Sequence, residues 1–226
     1  DGFESFDFHK VYHAVYNFCV VDMSNFYLDV IKDRLYISKA DAPARRAAQT
    51  AMFRILVDLT KIIAPILTFT SQEIWSFVPD FTGKQKYVAF EDMPKPGVYA
   101  QDAAFRAKWE RMIALRDDVK KVLEQARAEK VIGSSLEASV LLHCTGELAE
   151  FVHGIPKQEL EDLLIVSHVA LCEDDGGVKG DVDGLGVSVE RVQGEKCERC
   201  WKYTSDVGSH PDHPTLCARC ASVLEN

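Results

Sequence analysis

Four cysteines near the end of the chain fall into two C-x2-C pairs. The first is Cys197-Glu198-Arg199-Cys200, and the second, Cys217-Ala218-Arg219-Cys220, follows after sixteen residues. Each turn can aim two thiolates at one centre, and the loop between them is long enough to fold back and complete a tetrahedron. Zinc takes four such ligands. A site closed by four protein ligands has no open position for a substrate, so the pattern predicts one structural zinc and not a catalytic one. A pair of redox motifs has the same spacing, but a thioredoxin-like C-x2-C needs a βαβ unit beside it, and the sequence offers none there. His210 and His213 lie in the loop and can replace a cysteine as ligands. Four thiols suffice, so both histidines are expected to be solvated.

The same turns carry Arg199, Trp201, Lys202, Tyr203 and Arg219. A cation beside an aromatic ring on a rigid loop suits single-stranded nucleic acid: charge for the phosphate, a ring for an unstacked base. The ring of Trp201 can equally cover the metal, because so small a module uses every apolar group it has. Composition leaves both roles open.

Other candidates are weaker. His9 and His13 stand four apart like a metal pair, with no third ligand near in sequence, and are expected to be a solvated or hydrogen-bonded pair. Asp181-Val182-Asp183-Gly184 begins like a calcium loop, but glycine comes fourth instead of sixth. Val192 also stands where the bidentate glutamate belongs, so calcium is rejected.

The 226 residues are enough for one or two domains with a sizeable core. The net charge of −9 is unevenly spread. Residues 1–130 hold 19 Lys/Arg against 18 Asp/Glu, residues 131–190 hold 2 against 12, and residues 191–226 hold 5 against 5. This excludes a strong non-specific polyanion binder and leaves room for a local basic face. No apolar run is long enough to span a membrane, and no signal-peptide pattern opens the chain. Cys19, Cys144 and Cys172 are spare thiols in apolar surroundings, which fits a reducing compartment, the cytoplasm. The chain starts at Asp1-Gly2 without a methionine, which predicts a piece cut from something larger.

The elements that must position the cysteines follow from periodicity. Phe8, Val11, Tyr12, Val15 and Cys19 mark one face of a helix over 7–38, which Asp22 and Ser24 can cap or kink. Pro43 opens a second helix, with a stripe of Ala47, Ala51, Ile55, Leu59 and Ile62 and a break at Pro65. Thr70-Ser71-Gln72-Glu73 reads as a capping box opening a short helix. Residues 79–100 read as a long connection with an extended piece at Tyr87–Phe90. A long helix runs from Asp102 to about Glu129, buried along Phe105, Trp109, Met112, Val119, Leu123 and Ala126. Its tail holds Lys120, Lys121, Arg127 and Lys130. Strands at Glu137–His143, Ile165–Cys172 and Gly186–Val192, with short helices at Glu147–Val152 and Lys157–Leu164, complete the chain. The fold class is mostly α: an antiparallel helical bundle over 1–130, a small α+β module over 131–193 and a four-cysteine zinc knuckle over 194–226.

Several stretches together resemble one family. Phe18-Cys19-Val20-Val21-Asp22 with Phe26-Tyr27-Leu28-Asp29-Val30-Ile31-Lys32-Asp33-Arg34-Leu35-Tyr36 is similar to the opening of the anticodon-binding bundle of bacterial isoleucyl-tRNA synthetases. Ile63-Ala64-Pro65-Ile66-Leu67-Thr68-Phe69-Thr70 with Glu73-Ile74-Trp75 resembles its next helices. Lys130-Val131-Ile132-Gly133-Ser134-Ser135-Leu136-Glu137-Ala138 resembles the junction that follows, and Cys197-Glu198-Arg199-Cys200-Trp201 its zinc module. The resemblance covers essentially the whole chain in order. It implies the tRNA-reading end of a class I ligase that joins isoleucine to its tRNA using ATP. The His-x-Gly-His and Lys-Met-Ser-Lys-Ser signatures and the editing domain are missing from this sequence. ATP and magnesium therefore belong to a catalytic domain that is not in this sequence, and the chain alone is expected to be inactive. The resemblance implies contacts of Trp201, Lys202, Arg199 and Arg219 with the anticodon side. It also implies contacts of Lys84, Lys86, Arg127 and Lys130 with backbone phosphates. Expected partners are the anticodon stem-loop of the isoleucine tRNA, with no DNA and no membrane, and a monomeric chain. Two rival readings are the zinc-ribbon tail of a DNA-repair glycosylase and a zinc-stapled protein-interaction module.

Overall fold

The first apolar stripe forms helix α1 (Phe8–Asn17), but the expected long helix is not uniform. Around Asp22 and Ser24 the chain is wound more widely, as a π-helical stretch over Phe18–Tyr27, before the short helices α2 (Leu28–Val30) and α3 (Lys32–Tyr36). A π-helix bonds i to i+5 and rarely exceeds a single turn, so side chains before and after it do not share one α-helical face. The stripe on α1 is accordingly not buried: Phe8 and Tyr12 are exposed, and Val11 and Val15 only half-buried.

The structure, a computed structural model, describes residues 2–225 and divides into two compact units, Asp1–Ala100 and Gln101–Asn226. In the first unit α4 (Pro43–Ile63) starts with Pro43 in its first turn, where a missing N–H costs nothing, and stops just before Pro65. Its stripe of Ala51, Ile55, Leu59 and Ile62 lines an apolar groove with Val11, Ala14, Val15 and Phe18, about 720 Å³ in volume. The buried face of α4 is instead Ala48, Val57 and Thr60.

Val57 joins Trp75, Val78 and Val88 in the core of this unit. Trp75 lies on α5 (Thr68–Phe77), which begins before the anticipated capping box. Ser71 is buried inside that helix, and Gln72 accepts a hydrogen bond from the Val88 N–H at 3.0 Å. Residues Val88–Phe90 form a 3-10 turn, not an extended piece, because Gln72 and the Trp75 indole, which donates to the Gln85 carbonyl at 2.9 Å, pin the connection to α5. Lys61 and Lys84 lie over the Trp75 ring at 5.9 and 5.6 Å. Lys61 pairs with the half-buried Glu91 at 2.8 Å.

The second unit opens with α6 (Ala103–Ala128), capped by the Asp102 carboxylate, which accepts the Phe105 N–H at 2.7 Å. The sequence grouped this helix with the bundle, whereas the compact units place it with the α+β elements. Met112, Val119, Leu123 and Ala126 are buried as expected, and Leu115, Arg116 and Asp118 join them. Phe105, expected on the buried side, is exposed at the helix start.

The larger sheet has four strands. Strand β1 (Ala138–Cys144) runs parallel to β2 (His168–Cys172), the two being joined by helices α7 (Gly146–His153) and α8 (Lys157–Leu164). Strand β4 (Leu185–Arg191) pairs antiparallel with β1 on its other side and carries the short β3 (Val178–Lys179). Ala138, Val140, Leu142 and Cys144 alternate into the core, as one buried face of a sheet requires. The β2 strand starts later than expected because α8 ends on Ile165 in the left-handed region (φ 56°), the C-cap geometry that closes a helix. Among the described residues no helix is long and apolar enough to cross a membrane.

Arg116 and Asp118 hold this unit together through polar groups. The Arg116 Nε donates to the Leu163 carbonyl at 3.0 Å. Asp118 accepts from the Val182 N–H at 2.8 Å and from Lys121 at 2.9 Å, so residues 181–184, dismissed as a calcium loop, form a turn tied to α6. Burial pushes the Asp118 carboxyl up, but the bonds from Lys121, Val182 and Asp181 outweigh it and leave it below the usual carboxylate range. A depressed carboxylate stabilises the fold above its unfolded pKa, and that contribution is lost as pH falls through the lowered value. Asp118→Asn is expected to cost about 1–3 kcal/mol near neutral pH. Its deficit in urea denaturation should shrink as acid protonates the wild-type carboxylate, and a pH-independent deficit would contradict this account.

Candidate metal centre and nucleic-acid surface

The knuckle starts on a two-stranded ribbon of β5 (Glu195–Lys196) and β6 (Tyr203–Thr204). Between these strands the chain turns through Cys197 and Cys200. The Cys197 N–H donates to the Lys202 carbonyl and the Trp201 N–H to the Cys197 carbonyl, both at 2.9 Å. Cys217 precedes helix α9 (Ala218–Leu224), and Cys220 lies within its first turn. Asp206 accepts the Ala218 N–H at 3.1 Å and so fixes the start of this helix.

The four sulfurs all lie within 4.8 Å of one another, and Cys200 and Cys217 are 3.8 Å apart. Four sulfurs about 2.3 Å from one zinc stand about 3.8 Å from each other in a tetrahedron. Cys197, Cys217 and Cys220 are buried. Burial pushes the Cys197 thiol up, but backbone N–H groups of Cys200, Cys217 and Arg199 aimed at its sulfur pull it down to about 6, whereas burial leaves the Cys217 and Cys220 thiols above their usual range. A sulfur surrounded by donors is prepared to carry the negative charge that a metal ligand needs. Donor set and spacing therefore fit a closed structural zinc site. Such a site supplies a cross-link and offers no reactive position.

The histidines between the pairs are not simply solvated. His210 pairs with Glu225 at 2.5 Å, and its ring lies 5.5 Å from that of His213. In the first unit, His9 and His13 are exposed as anticipated, with His13 5.2 Å from the Tyr12 ring.

Trp201 is 60 % exposed. Its backbone is in the left-handed region (φ 64°), which turns the side chain out of the knuckle, and Lys196 lies over its ring at 5.3 Å. Lys196 is not among the cations that the motif singles out. The signal was there: it directly precedes the first cysteine, so a hairpin through the knuckle brings it towards Trp201. Arg199 and Arg219 are half-buried beside the cysteines.

Two lysines expected to meet RNA have structural tasks instead. Lys202 is 8 % exposed, with its ammonium 3.3 Å from Asp162 and 3.9 Å from Glu161 on α8. It docks the knuckle onto the acidic module, as does Ser167, which accepts the Tyr203 N–H at 2.8 Å. Lys84 donates to the Val78 carbonyl at 2.5 Å and lies against Trp75 with little of its side chain exposed. Of the other cations, Arg127 bonds Glu124 at 2.5 Å and Ser135 at 3.1 Å. Lys86 is exposed over the Tyr87 ring at 5.1 Å, and Lys130 is exposed just beyond α6. The exposed set thus combines a ring with a cation once in each unit, Lys86–Tyr87 in the first and Lys196–Trp201 in the second.

Residues 1–142 match the family described as "Anticodon-binding domain of tRNA ligase", and residues 194–223 match "Zinc finger found in FPG and IleRS". The chain is 48% identical over 226 residues to the isoleucine–tRNA ligase of Syntrophotalea carbinolica, covering 99% of this chain and 24% of that protein. It is 43% identical over 223 residues to the isoleucine–tRNA ligase of Kosmotoga olearia, covering 98% and 24%. With that of Bacillus mycoides it shares 43% identity over 228 residues, covering 100% and 24%. The chain spans about a quarter of the length of these curated relatives.

Proposed function

The chain belongs to the anticodon-binding domain family of tRNA ligases, and from that premise we propose that it is the anticodon-reading part of an isoleucine–tRNA ligase. The observation that carries the reading is the order of the two family matches, a binding bundle and then this zinc finger, along a chain alignable from end to end with such ligases. Following the family match over residues 1–142, we assign the bundle to residues 1–130, with α6 as the helix that also packs on the next module, the α+β module to 131–193 and the zinc module to 194–226. Zinc is held by Cys197, Cys200, Cys217 and Cys220. Trp201, Arg199 and Arg219, joined by Lys196, meet the anticodon loop, while Lys86, Arg127 and Lys130 meet phosphates. Lys84 and Lys202 drop out because their side chains are both engaged and largely buried, whereas that of Arg127 keeps a solvent-facing part.

ATP, magnesium and adenylate formation belong to the remainder of a full ligase, which acts in the cytoplasm, and the chain is a monomer that binds neither DNA nor membrane. The zinc-ribbon tail of a glycosylase loses its support, since the bundle match lies with tRNA ligases. Filter binding compares the anticodon stem-loop of the isoleucine tRNA, the same stem-loop with a substituted anticodon, and duplex DNA. The cognate stem-loop should bind best, with a shallow salt slope of about −0.7 for each phosphate contacted on single strands. Equal retention of all three would defeat the reading. Isoleucine-dependent pyrophosphate exchange by the chain alone should be nil.

A further inference from the structure

The less buried face of the sheet carries a second cluster of metal-ligating groups, away from the four cysteines. His143 near the end of β1 and Cys172 at the end of β2 are register partners in the parallel pair, so their side chains leave the sheet on the same face. Asp174 follows two residues later and hydrogen-bonds the His143 Nδ1. A nitrogen of His143, the Cys172 sulfur and a carboxylate oxygen of Asp174 all lie within 4.8 Å of one another. We propose that His143, Cys172 and Asp174 form a second zinc site, open at its fourth position and weaker than the four-cysteine centre.

Three features support a site over a chance meeting. The other ring nitrogen, Nε2, is 3.0 Å from the Ser188 hydroxyl. The Nδ1 proton now faces the Asp174 carboxylate; when a metal displaces it, Ser188 can accept from Nε2–H, the second-nitrogen contact that ligating histidines characteristically make. The Gly176 N–H donates to the same carboxylate at 2.9 Å and orients it. The loop also crosses the imidazole so closely that a Cβ on Gly176 would lie 2.8 Å from Nδ1, and one on Gly177 2.6 Å from the Val187 nitrogen. Only glycine permits that approach, and it leaves the His143 side chain 12 % exposed.

The electrostatics suit a dication. A Cys172 thiolate and the Asp174 carboxylate together balance its charge, and the nearby Lys179 ammonium is paired with Asp175. Ligand atoms about 2.0–2.3 Å from zinc stand roughly 3.3–3.8 Å apart in a tetrahedron. The three ligand atoms already lie within 4.8 Å of one another, and the His143–Asp174 contact has to open to admit the ion between them. Asp174, on an exposed turn, can supply that movement. The Asp174–His143–Ser188 order also resembles a nucleophile relay, but such a relay has no use for a thiol on its third side, whereas zinc does.

The test is zinc content of the whole chain after equilibrium dialysis against buffered zinc. One zinc per chain is expected at nanomolar free metal, from the four cysteines, and a second in the micromolar range. Cys172→Ser keeps the volume and the His143 hydrogen bonds, and should hold one zinc throughout. His143→Gln should do the same, with circular dichroism verifying the fold of each variant. Ser188→Ala should weaken only the second step, by about tenfold or more. A wild-type chain that stays at one zinc through the micromolar range overturns the proposal, as does a second zinc that survives Cys172→Ser. Absence of the nanomolar step would count against the four-cysteine centre and leave this site to be judged on its own step.

Discussion

Replacing one thiolate, Cys200→Ser, is expected to release the zinc and unfold residues 194–226 while the helices of the first unit keep their signal. The reason is what the knuckle buries. Its two strands have two residues each and its helix seven. Its buried side chains are Cys197, Cys217, Cys220, Ala221 and Lys202. Three of these five are ligands and one is an ion-paired lysine, so there is almost no apolar core to survive the metal. Structural zinc contributes an apparent binding free energy of about 10–16 kcal/mol in small zinc domains, far more than a module of this size obtains from packing. Losing the fold also frees Asp162 and Ser167 from Lys202 and Tyr203, at roughly 1 kcal/mol for each lost hydrogen bond. The second unit should therefore melt earlier than wild type without collapsing. Metal analysis, limited proteolysis and thermal unfolding together read this out. A Cys200→Ser chain with full zinc occupancy and a protease-resistant tail would mean that the four sulfurs do not share one metal.

How legible these features were depended on how local their causes are. Spacing alone marked the four cysteines, because a C-x2-C turn is its own geometric device. The start of α6 was equally local: Asp102 caps three residues ahead through one bond. The stripe on α4 was a different case. Its periodicity was real, but Ala51, Ile55, Leu59 and Ile62 line an apolar groove and Val57 on the other face enters the core, since periodicity reports an apolar face and not what covers it. Lys84 and Lys202 show the same limit for charge. A lysine reads as solvated until a carbonyl such as that of Val78, or a carboxylate such as Asp162, is brought to it by a distant fold. Nor does the sequence reveal that His143 and Cys172, twenty-nine positions apart, sit side by side, for the parallel register places them there.

Trp201→Ala is expected to leave zinc content and thermal stability near wild type while weakening the anticodon stem-loop. With 60 % of the residue in solvent, the ring contributes little to the knuckle interior, and its removal opens no cavity. Stacking of an unstacked base on an aromatic face is typically worth about 1–3 kcal/mol, or roughly five- to 150-fold in affinity. The ring carries no charge, so the dependence of affinity on salt should hardly change. Lys196→Ala is the complementary variant: its ammonium lies over the same ring, and removing it should flatten the salt slope by roughly 0.7 if it meets one phosphate of a single strand. Lys202→Ala should behave unlike both. It strips the partner from Asp162 and Glu161, costs about 1–3 kcal/mol of stability, and leaves the salt slope where it was. Binding isotherms at several salt concentrations, set beside melting curves, separate the three residues. A Trp201→Ala chain that loses zinc or unfolds early would assign the ring to packing, and unchanged affinity with intact zinc would remove Trp201 from the RNA surface.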